Sequence, residues 1–185
     1  VSLDSVARER MRRHYELLIR WNRRMNLTRV VEPEQAAERH FGESLAFVAA
    51  KPGDWSSAVD VGSGAGFPGL VLAAAYPDRS ITLLEPVGKK AVFLREVSRE
   101  WGTVRVRDVR VGDFDGEIDR AWMRAVNVPQ ALGDLGRIGR DGALWVGSEG
   151  AAEARKHENW QWEQGIPLAG GAHRQLLIGR RCSTW

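Results

Sequence analysis

The stretch Ala58-Val59-Asp60-Val61 running into Gly62-Ser63-Gly64-Ala65-Gly66 limits the possible folds of this chain most sharply. A short apolar run of this kind reads as a strand buried on both faces. The glycines after it let the backbone turn sharply and approach a ligand with no Cβ in the way. The residues beyond it repeat a simple rhythm. Gly69 to Tyr76 reads as a helix, and Ser80 to Leu84 is a β-branched and apolar run that ends at Glu85. Lys89 to Trp101 places Val92, Phe93 and Val97 at helical spacing, and Val104 to Val106 and Arg120 to Met123 read as strands. A helix around Gln130 to Leu135 precedes two more strands, Ala143 to Val146 and Gln175 to Gly179. Strands alternating with helices of about ten residues argue for an α/β chain with a parallel sheet and right-handed crossovers.

Two helices are expected ahead of the first strand. Val6, Met11, Tyr15, Leu18, Ile19 and Met25 recur at spacings near three and four, so Leu3 to Met25 reads as an amphipathic helix. Pro33 with Glu34 opens a second helix, carrying Ala36, Ala37, Phe41, Leu45 and Val48 inward and ending before Pro52. With 185 residues the chain is expected to be one domain, N-terminal helices over 1–51 and a core over 57–185. No apolar run approaches bilayer length, and Val1 to Arg13 is charged where a signal peptide would be apolar. A cytoplasmic protein with no membrane partner follows as the expectation. Cys182 is the lone cysteine, which excludes an intrachain disulfide and a cysteine-cluster metal site. His157 and His173 have no ligand-spaced partners, so no metal is expected.

The net charge of +3 is unevenly placed. Arg8, Arg10, Arg12, Arg13, Arg20, Arg23, Arg24 and Arg29 precede Val30, against Asp4, Glu9 and Glu16. A helical face of this kind suits phosphates, and a solvated surface explains it equally well. Of the 8 tryptophans, Trp21, Trp122 and Trp145 fall on apolar-patterned segments, which favours core packing over base stacking.

Two ligands compete for the glycine loop. Gly64-Ala65-Gly66-Phe67-Pro68-Gly69 fits the G-x-G-x-x-G dinucleotide fingerprint, with Glu85 as the ribose-binding acid about twenty residues on. Asp60 to Gly66 fits instead the methyltransferase form, whose ligand is a nucleoside without pyrophosphate. The register favours the second, because Gly62 stands directly after the strand, where a dinucleotide loop has the fingerprint's first glycine. Asp60 would also set a carboxylate near a pyrophosphate, whereas a sulfonium and an α-amino group are cations that an acid suits.

The wider pattern resembles the bacterial 16S ribosomal RNA guanine-N7 methyltransferases, also called glucose-inhibited division protein B. Trp21-Asn22-Arg23-Arg24-Met25-Asn26-Leu27-Thr28 resembles the family's W-N-x-x-x-N-L-T. Arg39-His40-Phe41-Gly42-Glu43-Ser44 resembles R-H-x-x-D-S, with Glu43 in place of Asp. Asp60 to Gly69 matches over the whole loop. Leu83-Leu84-Glu85 with Lys89-Lys90 and Phe93-Leu94 resembles L-L-[DE]-x-x-x-K-[KR]-x-x-F-L, and Arg124-Ala125 resembles the R-A closing the fourth strand. The resemblance implies a class I methyltransferase fold with a Rossmann-like core, extra N-terminal helices and an antiparallel last strand. It implies S-adenosyl-L-methionine as cofactor, small-subunit ribosomal RNA as partner, and a monomer. Asp60, Gly62, Gly64, Phe67 and Glu85 are the cofactor-binding candidates in the loop and the strand beside it. Val111 and Gly112, after Arg110, match the family's R-[AV]-E segment beside the adenine, and Arg124 matches its arginine at the site. His40, Lys89, Lys90 and Arg110 are the substrate-side candidates.

Two departures stand out. The acid of R-[AV]-E is Gly112 here, with Asp113 next to it able to serve, and the family's K-G pair after the fifth strand reads Gly147-Ser148-Glu149-Gly150. An anion near a phosphate path weakens RNA binding, so a non-catalytic relative that keeps the cofactor pocket remains an alternative, and a dinucleotide oxidoreductase a more distant one. A guanine N7 carries no proton before or after attack, so no general base is required. Proximity, orientation and a shaped polar site then supply the catalysis. No Ser-His-Asp, Cys-His or paired-carboxylate arrangement is legible in the sequence.

Overall fold

The computed structural model describes every residue except 51, 125, 126, 170, 172 and 183–185. Ala125 of the Arg124-Ala125 pair therefore lies outside the described residues. Helix α1 spans Ser5–Met25, started by the Asp4 carboxylate, which accepts from Ala7 N at 2.7 Å. It ends at Asn26, in the left-handed region with φ 49°. Asn22 then ties down the exit, its amide accepting from Thr28 N and donating to Thr28 O, both at 2.9 Å. The two asparagines of the W-N-x-x-x-N-L-T stretch are thus a helix stop. The buried stripe of α1 is Ala7, Met11, His14 and Leu18, displaced from the expected one, and Val6 is 56% exposed.

The second helix is interrupted. Helix α2, Pro33–Ala36, passes into a π-helical turn over Ala37–Gly42 and then into α3, Glu43–Ala49. The widened turn shifts the phase of everything after it. Ala37 is exposed, Phe41, Leu45 and Val48 are half-buried, and His40, Glu43, Ser44 and Phe47 take the inner positions.

Eight strands form one sheet in the order β3-β2-β1-β4-β5-β8-β6, with β7 paired to β8. Strands β1 (Ser57–Val61), β2 (Ser80–Leu84), β3 (Val104–Arg107), β4 (Ile118–Arg124) and β5 (Gly139–Gly147) are mutually parallel. The last strand, β8 (Arg174–Arg181), inserts antiparallel between β5 and β6 (Trp160–Trp162), and β7 is Ile166–Pro167. Helices α4 (Gly69–Ala75) and α5 (Gly88–Val97) follow β1 and β2, while α6 (Val128–Ile138) and α7 (Ser148–Arg155) follow β4 and β5. The two faces carry separate apolar cores. One joins α1, α3, α4 and α5 to the sheet through Leu18, Phe47, Leu70, Phe93, Trp122 and Trp145. The other joins α6 and α7 through Val59, Leu135 and Leu177. Trp122 and Trp145 are fully buried, as their patterning suggests, and Trp21 packs half-buried beside Phe93 with ring centroids 5.7 Å apart.

Candidate functional site

The chain leaves β1 on one side to build β2 and β3 and returns on the other to build β4 and β5. That reversal opens a crevice at the carboxyl ends of β1 and β4, where open α/β sheets bind ligands. Register carries the candidates there. Val61 pairs with Leu84 and with Met123, so Gly62, Glu85 and Arg124 each follow at one level of the rim. Leu84 O accepts from both Gly62 N and Ser63 N, at 2.9 and 3.0 Å, which turns the loop back over β2.

The glycines differ in what they face. Gly62 and Gly64 have φ of +70° and +57°, and a Cβ on Gly62 would meet nothing within 4 Å. On Gly64 its nearest neighbour would be Gly62 O at 3.8 Å. This part of the loop is bare backbone beside open space. Glu85 is 4% exposed and lies against it. Its Oε2 accepts from Gly64 N at 2.8 Å and its Oε1 from Val87 N at 2.9 Å. Asp60 sits deeper, its Oδ2 accepting from Gly69 N at 3.0 Å where α4 begins. Burial pushes its carboxyl up to about 7, against the pull of Ser63, Gly69 and Arg124. Asp60, expected to face a cationic ligand, is therefore 1% exposed and anchors α4 in this structure.

Phe67 is packed by two imidazoles. His40, on the π-helical turn, stacks on it with centroids 4.3 Å apart and planes 12° apart, its Nε2 lying 3.0 Å from Thr28 Oγ1. His14 of α1 stacks at 4.7 Å and 23°, its Nε2 lying 2.7 Å from Ala65 O. Burial lowers both to about 4, so both are neutral at pH 7; around His40 the charge of Arg124 adds to the effect. Sequence reasoning missed His14. The signal was its place at i+3 from Met11 and i−4 from Leu18.

Arg124 reaches the same rim but is engaged there. It donates to Glu43 Oε2 at 2.7 Å and to Arg39 O at 2.6 Å, and Arg174 donates to the same Glu43 oxygen at 2.8 Å. The side chain of Glu43 is fully buried, and burial pushes its carboxyl up against the pull of both guanidiniums. Glu43 in the position of the family's Asp thus ties α3 to the ends of β4 and β8. Val111, Gly112 and Asp113 form a 3-10 turn beyond β3, with Val111 O and Phe114 O accepting from Arg137. Gly112, Asp113, Arg110 and Lys89 are exposed and Lys90 is half-buried. Among the described residues no ion pair involves Lys89, Lys90 or Arg110, and no acid, histidine or cysteine cluster could hold a metal. A further concavity lies at the opposite, amino end of the strands, around Asp119, Arg137 and Arg140. Two of its acids are already engaged: Asp119 accepts from Ser56 N, Ser57 N and Arg140, and Asp141 accepts from Arg120 and Arg180.

An open glycine shelf at the switch point, flanked by a buried carboxylate after β2, fits a nucleoside-bearing ligand. With the 3-2-1-4-5 order and the inserted antiparallel strand, it defines a class I S-adenosylmethionine-dependent methyltransferase. A methyltransferase of this cofactor class from Aquifex aeolicus superposes with a TM-score of 0.64 over 85% of this chain and 97% of that one, at 12% identity, which is a likeness of fold. Residues 7–158 match the family described as rRNA small subunit methyltransferase G, GidB, and the chain belongs to that family. It is 43% identical over 149 residues to ribosomal RNA small subunit methyltransferase G of Halorhodospira halophila, covering 78% of this chain and 70% of that one. To the protein of the same name from Anaeromyxobacter dehalogenans it is 34% identical over 179 residues, 96% and 81% of the two chains. The choice between the two loop ligands thereby falls to S-adenosyl-L-methionine.

Proposed function

We propose that this chain transfers a methyl group from S-adenosylmethionine to N7 of a guanine in small-subunit ribosomal RNA. The names of its relatives support the RNA. One observation in the site supports the atom: each acid–base group bordering the loop already has a structural partner. Asp60 serves Gly69 N, Glu85 serves Gly64 N and Val87 N, His14 serves Ala65 O, and His40 serves Thr28. An acceptor that must shed a proton would find no base here without a structural task. The N7 lone pair has none to shed.

The bound cofactor supplies an electrophilic methyl group on a sulfonium. The chain's own residues bind and orient. Gly62 and Gly64 offer close backbone approach, and Glu85 can accept ribose hydroxyls on lone pairs left by Gly64 and Val87. Val111, Gly112 and Asp113 would lie toward the adenine, Phe67 and Arg124 would border the cofactor, and His40 would stand on the substrate side. Lys89, Lys90 and Arg110, with the arginines at the end of α1, meet RNA phosphate. Catalysis then rests on proximity and fixed dipoles.

The test is methyl transfer from labelled cofactor to purified small-subunit particles, followed by nuclease digestion and identification of the labelled nucleoside. Label in N7-methylguanosine is the expected result. Label on an exocyclic amine or a ring carbon, or none at all, refutes the assignment.

A further inference from the structure

The loop's bare shelf has a fixed back. Ala65 and Phe67 lie between Gly64, which faces open space, and Gly69, which opens α4, and both are gripped from α1. The ring of His14 is 1% exposed and stacks on Phe67. Phe41 closes the group edge-on, 5.7 Å from His14 and 5.3 Å from Phe67. Ala65 O can only accept, so His14 must present a hydrogen on Nε2. The other nitrogen, Nδ1, is buried and has no partner among the described residues. A second hydrogen there would have no acceptor, so the geometry selects one tautomer of the neutral ring. A Cβ on Gly66 would come within 3.1 Å of His14 Cε1, which shows how closely ring and loop are fitted.

We infer that His14 is a positioning residue for the cofactor: its Nε2–H, donated to Ala65 O, sets the height of the glycine shelf against α1 and thereby the affinity for S-adenosylmethionine. The inference rests on the assignment of the loop to that cofactor and not on the acceptor. The helix that carries most of the N-terminal arginines is then also the helix that holds the cofactor loop. Burial, which lowers this imidazole to about 4, keeps the ring neutral at pH 7, with a single hydrogen that Ala65 O draws to Nε2.

The experiment compares His14→Gln, whose amide nitrogen can take the place of Nε2, with His14→Leu, which fills similar space without a donor. S-adenosylhomocysteine affinity is read by calorimetry below the unfolding temperature of each variant. His14→Leu should bind about tenfold more weakly, the loss equivalent to one hydrogen bond of about 1.4 kcal/mol, and His14→Gln should stay within about threefold of wild type. With RNA as substrate, the Leu variant should show a raised KM for the cofactor and an unchanged KM for RNA. Equal loss in both variants, or wild-type affinity in folded His14→Leu, overturns the inference. Should His14→Leu fail to fold, the wild-type protein decides: nitrogen NMR of the His14 ring at pH 7 must show a hydrogen on Nε2, and an Nδ1–H tautomer, which leaves Nε2 bare, refutes the proposal. The calorimetric and NMR arms use no RNA, so a wrong acceptor leaves them intact and only the KM arm depends on it.

Discussion

Within one stretch of ten residues the protein uses glycine for opposite reasons. At Gly62 and Gly64 the backbone is left-handed and a Cβ would find open space or ordinary contact. At Gly66 a Cβ would fall 2.4 Å from Leu70 Cδ1, and at Gly69 it would fall 2.4 Å from Leu83 Cδ2 and 2.5 Å from Asp60 Oδ2. The outer pair keeps room for something that binds. Of the inner pair, Gly69 lets α4 sit directly on β1 and β2, and Gly66 lets the loop close against Leu70 and His14. A motif written as a row of glycines hides this division, although the two halves fail in different ways when they are altered.

The sharpest separation comes from Gly69→Val, set against Gly64→Ala. The valine forces a branched side chain into the buried Asp60 carboxylate and Leu83. Overpacking of this kind costs about 3 kcal/mol or more when the obstacle is a core strand. Urea denaturation should show that loss, or no folded protein. Gly64→Ala should cost only about 1–2 kcal/mol for a left-handed alanine, while S-adenosylhomocysteine affinity falls at least tenfold (~1.4 kcal/mol). Equal stability losses in the two variants would erase the distinction.

Acid should attack the inner half first. His14 is lowered to about 4 by burial, from 6.5 in the open chain. Between those values the unfolded chain takes up a proton that the folded one refuses, so this contribution is complete above pH 6.5 and is lost as pH falls toward 4. His40 acts in the same direction and over the same window. Asp60 opposes them. Raised to about 7 from 3.8, it holds a proton that the unfolded chain has released, a contribution lost as pH rises through that range. Two groups against one leave a net loss on acidification of about 1.4 kcal/mol per pH unit from these three residues. Replacing His14 by Gln removes one of the two. The fall in stability between pH 6.5 and 4.5 should shrink by about 2 kcal/mol relative to wild type, as read from denaturant unfolding at each pH. An unchanged fall would mean that His14 is not neutral in the folded protein.

Glu85 tests the outer half. Its carboxylate holds Gly64 N and Val87 N while facing the shelf. Glu85→Ala should therefore weaken S-adenosylhomocysteine by about 1–3 kcal/mol, the scale for charge-assisted bonds in a partly buried site. Methylthioadenosine, which keeps the ribose and lacks the amino acid, should weaken in parallel. Loss for one ligand alone would confine Glu85 to a different part of the cofactor.

Much of this was legible in the sequence, for local reasons. The strand–glycine–helix rhythm, the acid after the second strand and the buried Trp122 and Trp145 are all set by patterns within about ten residues. The errors have local physical causes too. In α1 the apolar spacing selects Met11 and Leu18, which are buried, but also Val6, Tyr15 and Ile19 and not His14, because a histidine reads as polar although it enters the core. From the π-helical turn at Ala37–Gly42 onward the inner positions pass to His40, Glu43, Ser44 and Phe47. Of the apolar set expected from a 3.6-residue period, Ala36 is buried, Phe41, Leu45 and Val48 pack half-buried, and Ala37 is exposed. Strand β6, Trp160–Trp162, is too short to show alternation. The Glu43 cluster joins residues 81 and 131 positions apart, which no window of sequence contains.

The smallest effects belong to the surface, where the arginines of α1 also divide into two groups. In its first half the charges are spoken for: Arg12 pairs with Glu9 and Glu16, Arg10 lies 5.1 Å over the Trp101 ring, Arg13 lies 3.9 Å from Glu100, and Arg8 donates to Leu3 O. Arg20, Arg23, Arg24 and Arg29 are exposed, and no ion pair among the described residues involves them. They flank the Asn26–Thr28 exit, whose Thr28 touches His40 and, through it, Phe67. Phosphate contacts release counterions, so each free arginine that meets RNA contributes about 0.7–0.9 to the slope of log affinity against log salt. Arg24→Ala should lower that slope by roughly one unit and leave the methylated base unchanged. Arg12→Ala should leave it alone, because its charge is already met within the helix. Glu149, exposed in the first turn of α7 where the family resemblance leads to a cation, adds a third arm: Glu149→Lys should tighten RNA binding and steepen the slope. Salt curves that superimpose for wild type, Arg24→Ala and Glu149→Lys would make the arginine face a solvated surface, and would leave a cofactor-binding relative that does not hold this RNA.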